Sequence, residues 1–456
     1  MEFIQEDQDE QSLFFSGPGT RKEPAMAETI TDTRDRHSRT GLNILQTVLA
    51  DCHPRNFAVR MWDGTVWGPE EGQRAIFTMV INRPGALRRM FWQASNLSIG
   101  EAYIYGDFDI EGDFESAFAL EEYFNRQRHS AADRFFLARN LIRLPLDDRP
   151  PAGRRFAECT GPVHSPVRDR DAVRFHYDVS NDFYALWLDR RMVYSTAYFR
   201  DPGETLDAAQ ERKLEYVCRK LRLRPGERLL DIGCGWGGLL IHAAKTRGAK
   251  AFGITLSLPQ AELARERIRK EGLSDLCCVE VRDYREVVDT DGFDKIASIG
   301  MFEHVGETRL EEYFGHAWRL LRPGGVFLNH GIAANAYLPI HPGPYFADHY
   351  VFPDGDLLPI HITLRAAERS GFEVRDVESL REHYLLTLRH WIRRLETRYE
   401  EARLATDEVT CRIFRIYLYG AAYRFREGTT NVYQSLLVRP DEGRSGLPLT
   451  REDWYP

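Results

Sequence analysis

The chain has 456 residues, of which 43% are hydrophobic and 29% charged, and its formal net charge is −8. This length favours two domains over one, and this composition is typical of a globular protein. No run approaches the roughly 18 consecutive apolar residues that a membrane span needs. The acidic start, from Glu2 to Glu10, also lacks the basic-then-apolar order of a signal peptide. We therefore expect a cytoplasmic protein.

The distribution of charged residues and of cysteines disfavours two kinds of ligand, nucleic acids and zinc. Residues 1–36 carry nine acidic and four basic side chains, so the rest of the chain is close to neutral. Because no long basic stretch is present, a nucleic-acid partner is disfavoured. The seven cysteines form no CxxC pair, which favours reduced, structural thiols over a zinc site. The sequence predicts no metal site.

The first third of the chain predicts a leader and a small domain. Residues 1–40 are polar and charged and contain Gly17-Pro18-Gly19, which predicts a disordered acidic leader. Residues 41–146 predict a smaller N-terminal α+β domain, with a helix at 43–50 and strands at 57–62 and 75–81. Residues 147–169 include Pro150-Pro151 and Gly153 and predict a linker.

Residues 131–144 predict a basic amphipathic helix. Apolar side chains alternate there with three arginines, Arg134, Arg139 and Arg143. One interpretation is a helix that packs its apolar face on a neighbouring domain. The other is a surface that touches anionic lipid.

From residue 170 the pattern alternates between helix and strand. A helix is predicted at 206–221, strands at 228–232, 249–254, 277–281, 293–299 and 325–329, and further helices between 381 and 426. This alternation indicates an α/β, Rossmann-like fold with a doubly wound parallel sheet over residues 170–440. Residues 441–456 are predicted to be a C-terminal tail.

A glycine-rich loop lies between the first of these strands and the next helix. Glycines there allow a sharp turn and let the backbone approach a ligand closely. Alone the pattern is weak, because dinucleotide sites share it. Here Asp231 precedes the glycines, the next strand ends at 253–257 without an acid for a ribose, and Asp283-Tyr284 follows the third strand. These features favour S-adenosylmethionine over a nicotinamide cofactor.

Two further predicted strands are followed by residues that can take part in catalysis. Glu303 follows the fourth strand and His330 the fifth, and ligands bind outside the carboxyl ends of such strands. Each residue alone could equally be a structural hydrogen-bonding group. Together with ordered motifs, however, the chain resembles the cyclopropane-fatty-acyl-phospholipid synthase family, which includes the mycolic acid cyclopropane synthases. The matching motifs span 175–184, 192–199, 230–238, 253–257, 301–306, 330–332 and 431–434, and a weaker match at 100–110 resembles the family's lipid-binding-like N-terminal domain.

The resemblance implies a reaction and two sets of site residues. The reaction transfers a methylene group from S-adenosylmethionine to the double bond of an unsaturated phospholipid acyl chain, through a carbocation that bound bicarbonate deprotonates. The residues implied to contact S-adenosylmethionine are Tyr194, Ser195, Asp231, Gly233, Gly235, Gly237, Thr255, Leu256, Gln260, Asp283 and Tyr284. Those implied to hold bicarbonate are Glu303, His330, the backbone at Ile332, Tyr384 and, at a position where the family usually has cysteine, Thr196.

Aromatic side chains would stabilise the cation, and ordinary core packing is the competing interpretation of each. The candidates are Tyr177, Tyr198, Phe199 and Phe302. The implied partner is a phospholipid bilayer, with the protein peripheral at the inner face of the membrane, and a homodimer stays open. Three alternatives also stay open: an exocyclic methylene product that a partner reductase would convert to a methyl branch, a non-catalytic lipid-binding protein, and a methyltransferase for small molecules or proteins.

Overall fold

The computed structural model describes residues 35–126, 130–146, 153–337 and 345–455. Residues 1–34, most of the predicted leader, lie outside this range. The first described helix begins at Arg36, where Asp35 caps it, so the N-terminal domain starts before the predicted boundary at residue 41. The elements of this domain are α1 (Arg36–Val48), β1 (Phe57–Arg60), β2 (Val66–Trp67), β3 (Phe77–Ile81), α2 (Ala86–Trp92), α3 (Asn96–Ile104), β4 (Phe108–Gly112), α4 (Phe114–Ala117), α5 (Ala119–Arg126) and α6 (Ala131–Arg143).

The N-terminal sheet has the strand order β2-β1-β3-β4, in which β1 and β3 are parallel and the other neighbours antiparallel. Its central strand β3 buries Phe77, Met79 and Ile81 and leaves the residues between them partly exposed. This alternation with a period of two turns one face of the sheet towards the domain core. The predicted α+β architecture is therefore present.

A larger sheet organises the rest of the chain. Its elements are α7 (Pro166–Tyr177), α8 (Asn181–Trp187), α9 (Leu206–Leu221), β5 (Arg228–Ile232), α10 (Gly238–Arg247), β6 (Lys250–Thr255), α11 (Leu258–Lys270), β7 (Cys277–Val281), β8 (Phe293–Ile299), α12 (Leu310–Leu320), β9 (Leu321–Ala334), α13 (Phe346–Tyr350), α14 (Ile360–Arg369), β10 (Glu373–Ser379), α15 (Arg381–Thr397), α16 (Tyr399–Ala405), α17 (Glu408–Arg426) and β11 (Thr430–Val438). The strand order is β10-β11-β9-β8-β5-β6-β7, and only β11 runs against the other six strands described.

Helices cover both faces of this sheet. Consecutive residues of β5 show why: Leu229 belongs to the core under α9, α10 and α11, whereas Leu230 belongs to the core under α12 and α14. A strand buried on both faces carries apolar side chains on both, as β5 does with Leu229, Leu230 and Ile232. The fold is thus the α/β, doubly wound class that the alternating pattern predicts.

Two predicted boundaries are wrong. Helix α7 begins at Pro166, inside the predicted linker, because Ser165 caps it and proline suits a first helical position. Residues 147–152 of that linker lie outside the described range. The C-terminal segment is also no free tail, since Trp454 is buried in the sheet core and Asp453 pairs with Arg222.

The two domains share a core and several ion pairs. Phe346 and Tyr350 of α13, and Ile413 of α17, pack into the hydrophobic core of the N-terminal domain. Arg412 of α17 also donates to Asp109 of β4 at 2.7 Å. Of the helices described, none is long and apolar enough to cross a membrane.

Candidate active site

The glycine-rich loop adopts the conformation for which it needs glycine. Gly233, Gly235 and Gly237 have φ values of 82°, 52° and 78°, in the left-handed region that side chains with a Cβ disfavour. The amides of Gly233 and Cys234 donate to the carbonyl of Ile254 in β6 at 3.0 and 2.9 Å, which pins the loop to the sheet. Helix α10 then begins directly behind the loop.

A first cavity opens beside this loop at the carboxyl ends of β5, β6 and β7. Ten of the eleven residues predicted to contact S-adenosylmethionine line it: Tyr194, Ser195, Asp231, Gly233, Gly235, Thr255, Leu256, Gln260, Asp283 and Tyr284. The exception is Gly237, which caps α10 and faces Ala264 of α11, so that a Cβ there would lie 3.2 Å from the Ala264 Cβ. Gly237 therefore serves the packing of α10 on α11 and not the cavity wall.

A buried pair of opposite charges lies in the wall of the first cavity. Lys213 of α9 is fully buried and donates to the Ser195 hydroxyl at 2.9 Å. Burial lowers the pKa of Lys213 to about 8, against the opposing effect of Asp231 and Asp189. Burial likewise raises the pKa of Asp231 to about 7. A ligand that carries both an ammonium and a carboxylate, as the methionyl end of S-adenosylmethionine does, can satisfy both groups.

Lys213 was not predicted from the sequence, and its role is open to a direct test. Replacing Lys213→Met is expected to weaken S-adenosylmethionine binding at least about 30-fold, or ~2 kcal/mol, because a ligand carboxylate would lose its buried counter-charge. Isothermal titration measures this, with the exposed Lys245→Met as the matched control. Equal affinities for the two variants would contradict the assignment.

The opposite end of the first cavity is held by an ion-pair network. Arg285 donates to both oxygens of Asp283 at 2.7 and 2.8 Å, and also to Asp169 of α7 at 2.9 Å. This network ties α7 to the loop after β7. It fixes the Asp283 carboxylate beside Tyr284, and both residues are among those implied to contact S-adenosylmethionine.

A second cavity, of about 440 Å³, brings together all six predicted catalytic residues. These are Tyr177, Thr196, Glu303, His330, Ile332 and Tyr384. Three of them come from strand ends and loops of the large sheet, namely Glu303 after β8 and His330 and Ile332 in β9. Tyr384 comes from α15, Tyr177 from the end of α7 and Thr196 from the segment before α9.

The two carboxylate oxygens of Glu303 differ: one is hydrogen-bonded to the backbone, and the other is available to a ligand in the cavity. Its Oε1 accepts from the Ile332 amide at 2.8 Å. Its Oε2 is buried and has no hydrogen-bond partner among the described residues. Burial raises the pKa of Glu303 to about 7, although the Ile332 amide opposes this rise. The Ile332 amide is therefore already engaged with Glu303, and its contribution to an anion site is to orient that carboxylate. The resemblance instead implies that the Ile332 backbone binds the anion directly.

Three other polar side chains of this cavity, His330, Tyr384 and Thr196, differ in which of their atoms already have a hydrogen-bond partner. His330 Nδ1 lies 3.1 Å from Gln434 Nε2 and forms a hydrogen bond with it. The other ring nitrogen of His330, Nε2, is therefore the one that can hydrogen-bond a group in the cavity. No described residue hydrogen-bonds the hydroxyl of Tyr384, and burial holds its pKa well above the usual value, so this hydroxyl stays protonated as a donor. The Thr196 hydroxyl donates to the Ala197 carbonyl at 3.2 Å and offers the cavity an acceptor.

The two cavities meet. Five residues line both of them: Tyr177, Tyr194, Ser195, Gly300 and His304. A group bound beside the glycine loop therefore faces the polar end of the second cavity across a shared wall.

Three of the four predicted aromatic residues lie outside both cavities. Tyr198 packs on Tyr216 and donates to Glu378, and Phe199 stacks on His390. Phe302 packs in the core under α12, because successive residues of its short 3₁₀ turn diverge, and Glu303 and His304 face the cavity instead. Of the predicted set only Tyr177 remains.

Other residues of the second cavity carried no sequence signal as site residues. Tyr417 of α17 lines it, as do side chains from the N-terminal domain. Gly331 has a different role: a Cβ there would overlap the Phe302 ring and approach Glu303 Oε1 to 2.9 Å. Glycine at this position lets β9 pass directly against Glu303.

Several known proteins are similar to this chain in sequence and in fold. The family model described as mycolic acid cyclopropane synthetase matches residues 164–435, and a domain of unknown function, DUF7884, matches residues 44–131. A probable fatty acid methyltransferase of Pseudomonas putida is 40% identical over 401 residues, which are 87% of this chain and 95% of that protein. The cyclopropane-fatty-acyl-phospholipid synthase of Escherichia coli K12 is 36% identical over 81% of this chain and 90% of its own length.

One of the similar solved structures contains a bound ligand. The mycolic acid cyclopropane synthase CmaA1, complexed with SAH and CTAB, is 33% identical and has a TM-score of 0.56 over 59% of this chain and 97% of that one. The match supports S-adenosylmethionine as the ligand of the first cavity. The chain belongs to the mycolic acid cyclopropane synthetase family of S-adenosylmethionine-dependent methyltransferases.

Proposed function

We propose that this protein transfers a methyl group from S-adenosylmethionine to the double bond of an unsaturated fatty acyl chain of a phospholipid, and that loss of a proton closes a cyclopropane ring. The observation that carries the proposal is the second cavity. It begins at Glu303 and His330 and continues into the N-terminal domain, where its wall is mostly apolar and aromatic, with Asn96 and Glu121 as polar members. The residues of that domain which line it include Met79, Met90, Phe108, Ile110, Phe114 and Phe124.

This wall fits an acyl chain better than a small polar acceptor or a protein side chain. An apolar chain gains about 0.8 kcal/mol for each CH₂ that leaves water, so a long apolar cavity selects for a long hydrocarbon. Because Glu303, His330 and Tyr384 lie at the end shared with the first cavity, a chain bound along the second cavity would place an internal carbon–carbon bond at the site of transfer.

The chemistry explains the dry, aromatic surroundings of the shared wall. An alkene is a weak nucleophile, so it must be held close to the methyl group and in line with it. The new carbon–carbon bond takes the electron pair of the double bond, the carbon–sulfur pair stays on sulfur, and the acyl chain is left with a carbocation. The rings of Tyr177, Tyr194 and Tyr417 lie in the wall, and each aromatic face can contribute about 0.5–2 kcal/mol to such a cation.

The polar end of the cavity fits bicarbonate. Glu303 Oε2 is a buried acceptor without a described partner, whereas His330 Nε2 and the Tyr384 hydroxyl are donors. Bicarbonate has both a hydroxyl for Glu303 and negatively charged oxygens for the two donors. When bound, the ion would supply the base that accepts the proton. The chain's own residues hold and orient it, and they exclude water from the cation.

Thr196 supports a second candidate product. Its hydroxyl donates to Ala197, so Thr196 can offer an anion only an acceptor or its backbone amide. A differently placed base could remove a proton after a hydride shift and leave an exocyclic methylene, which a partner reductase would convert to a methyl branch. The similarity to a probable fatty acid methyltransferase is in keeping with this alternative.

Product analysis separates the two candidates. The chain is expressed in a host with unsaturated membranes, and fatty acid methyl esters are examined by mass spectrometry and proton NMR. We expect one added CH₂ and the upfield signals of cyclopropane hydrogens, all of which should be absent with the Glu303→Gln variant. Vinylidene signals without ring signals would establish the second candidate, and unmodified lipids would overturn both.

Helix α6 favours delivery from a bilayer. It packs on α1 and α2 of its own domain, and Leu141 of the helix and Leu144 at its C-cap are buried in the core. Phe135 is 72% exposed and Ile142 58%, and Trp92 of α2 is 52% exposed. Exposed apolar side chains beside three exposed arginines are typical of a surface that inserts at an anionic interface. We propose that this face of the N-terminal domain docks on the membrane as a peripheral contact.

Charge reversal tests the docking face. Replacing Arg134, Arg139 and Arg143 together by Glu is expected to weaken binding to anionic liposomes by on the order of 100-fold or more, at roughly 1 kcal/mol for each arginine removed. A liposome-pelleting assay at low and high salt measures this effect. Unchanged pelleting of the triple variant would exclude α6 as the docking face.

A further inference from the structure

A row of polar side chains, buried at His330 and Gln434 and partly exposed at Glu378, runs across the sheet. Gln434 of β11 is paired across the sheet both with His330 of β9 and with Glu378 of β10, so the three residues form one cross-strand row. Lys220 of α9 covers this row and is fully buried. Its Nζ donates to Gln434 Oε1 at 3.0 Å and to Glu378 Oε2 at 2.5 Å. Gln434 Nε2 in turn lies 3.1 Å from His330 Nδ1.

The ammonium of Lys220 fixes the orientation of the Gln434 amide. An ammonium only donates, so it must face the carbonyl oxygen of the amide. The amide nitrogen, which also only donates, is then the atom that faces His330. His330 Nδ1 must therefore accept, and in a neutral imidazole the proton must lie on Nε2. An imidazolium, which donates at both nitrogens, would leave two donors facing each other.

We infer that Lys220 and Gln434 are positioning residues that hold His330 as the neutral tautomer protonated at Nε2, with that donor aimed at the anion end of the acyl cavity. This inference rests on the proposed function. The buried Lys220 is held there by Glu378, by Asp376 at 3.6 Å and by the ring of Tyr216 at 4.6 Å. Two buried apolar residues could fill the same space at little cost in stability, so retention of the charge fits a role in orientation.

A neutral donor suits the proposed chemistry better than a cationic one. It can hydrogen-bond an anion without placing a positive charge beside the carbocation. Burial and two lysines near the His330 ring also favour its neutral form. Burial, and after it the cations Lys213 and Lys220 on α9, lower the pKa of His330 well below its usual value. Glu303 lines the same cavity, and its carboxylate acts in the opposite direction when it is ionised.

The tautomer can be observed directly by ¹⁵N NMR of the full chain with ¹⁵N-labelled histidine, with His330 assigned through the His330→Gln variant. We expect the neutral form protonated at Nε2 in the wild type. In Gln434→Glu a carboxylate faces Nδ1 and cannot donate, so we expect Nδ1 to become protonated. That variant should lose about 10–100-fold in kcat while its KM for S-adenosylmethionine stays unchanged, as is typical when the group that orients a histidine is lost.

Lys220→Met supplies the second arm, with the buried Lys295→Met of β8 as the control for the loss of a buried lysine. We expect mixed His330 tautomers and a reduced kcat only for Lys220→Met, and recovery with Lys220→Arg. An imidazolium or an Nδ1-protonated His330 in the wild type would overturn the inference, even if both variants fail to fold. The NMR readout needs no turnover, so unmodified lipids would refute the proposed function and leave the tautomer assignment standing.

Discussion

Replacing Glu303→Gln is expected to lower kcat by about 10²–10³-fold and to leave the affinity for S-adenosylmethionine within about 2-fold of the wild type. Glu303 Oε2 is the one carboxylate oxygen of the polar end that has no partner among the described residues. An amide could still accept from the Ile332 amide, so the fold around β9 should be kept. What the variant loses is the negative charge that would orient the base near the cation.

The pH dependence gives this prediction a second readout. Because the pKa of Glu303 is raised to about 7, the carboxylate forms only as the pH rises through that value. At saturating S-adenosylmethionine, kcat should therefore rise with pH through about 7 and then level off. Glu303→Gln should lack this rise, whereas the exposed Glu307→Gln should keep both the rate and the profile. A Glu303→Gln enzyme with wild-type kcat would contradict the assigned role.

Substitutions at two glycines of the glycine-rich loop, Gly235 and Gly237, are expected to damage different properties of the protein. A Cβ at Gly235 meets no atom within 4 Å, and Gly235 lines the first cavity, so the added methyl group would occupy space meant for the ligand. A Cβ at Gly237 would instead press on Ala264. We expect Gly235→Ala to weaken S-adenosylmethionine binding by about 30-fold or more, an effect of ~2 kcal/mol.

The comparison between the two variants is internally controlled. Both residues have positive φ, so both substitutions add a similar backbone strain of roughly 1–2 kcal/mol. Gly237→Ala should therefore lower Tm more than Gly235→Ala does, and Gly235→Ala should lose more affinity. Isothermal titration and thermal unfolding of both proteins measure this. The reverse order would mean that the ligand does not lie over Gly235.

The local parts of the site could be predicted from the sequence. Strand β5, the glycine loop and the ends of β8 and β9 are short segments whose roles follow from their position in a parallel sheet. For that reason Asp231, Glu303 and His330 could be assigned to cavity walls before their contacts were known. The cavity residues between 192 and 199 were only partly predictable. Tyr194, Ser195 and Thr196 face the cavities, whereas Tyr198 and Phe199 turn towards α9 and α15.

Tertiary pairings could not be read from the sequence. Lys213 and Lys220 lie on one predicted helix with the ordinary composition of a surface helix, yet both are fully buried. Nothing local shows that one faces Ser195 and the other Gln434, which is 214 residues away. The entry of the second cavity into the N-terminal domain likewise depends on how α13 and α17 pack against α3.

The most direct test of the account uses S-adenosylmethionine whose methyl group carries three deuterons. The purified protein is incubated with liposomes of an unsaturated phospholipid, and the acyl chains are examined by mass spectrometry and NMR. The account predicts a cyclopropane that keeps two of the three deuterons, because the proton leaves from the new methyl group. Acyl chains that keep all three deuterons would contradict the account, and so would lipids that contain no deuterium.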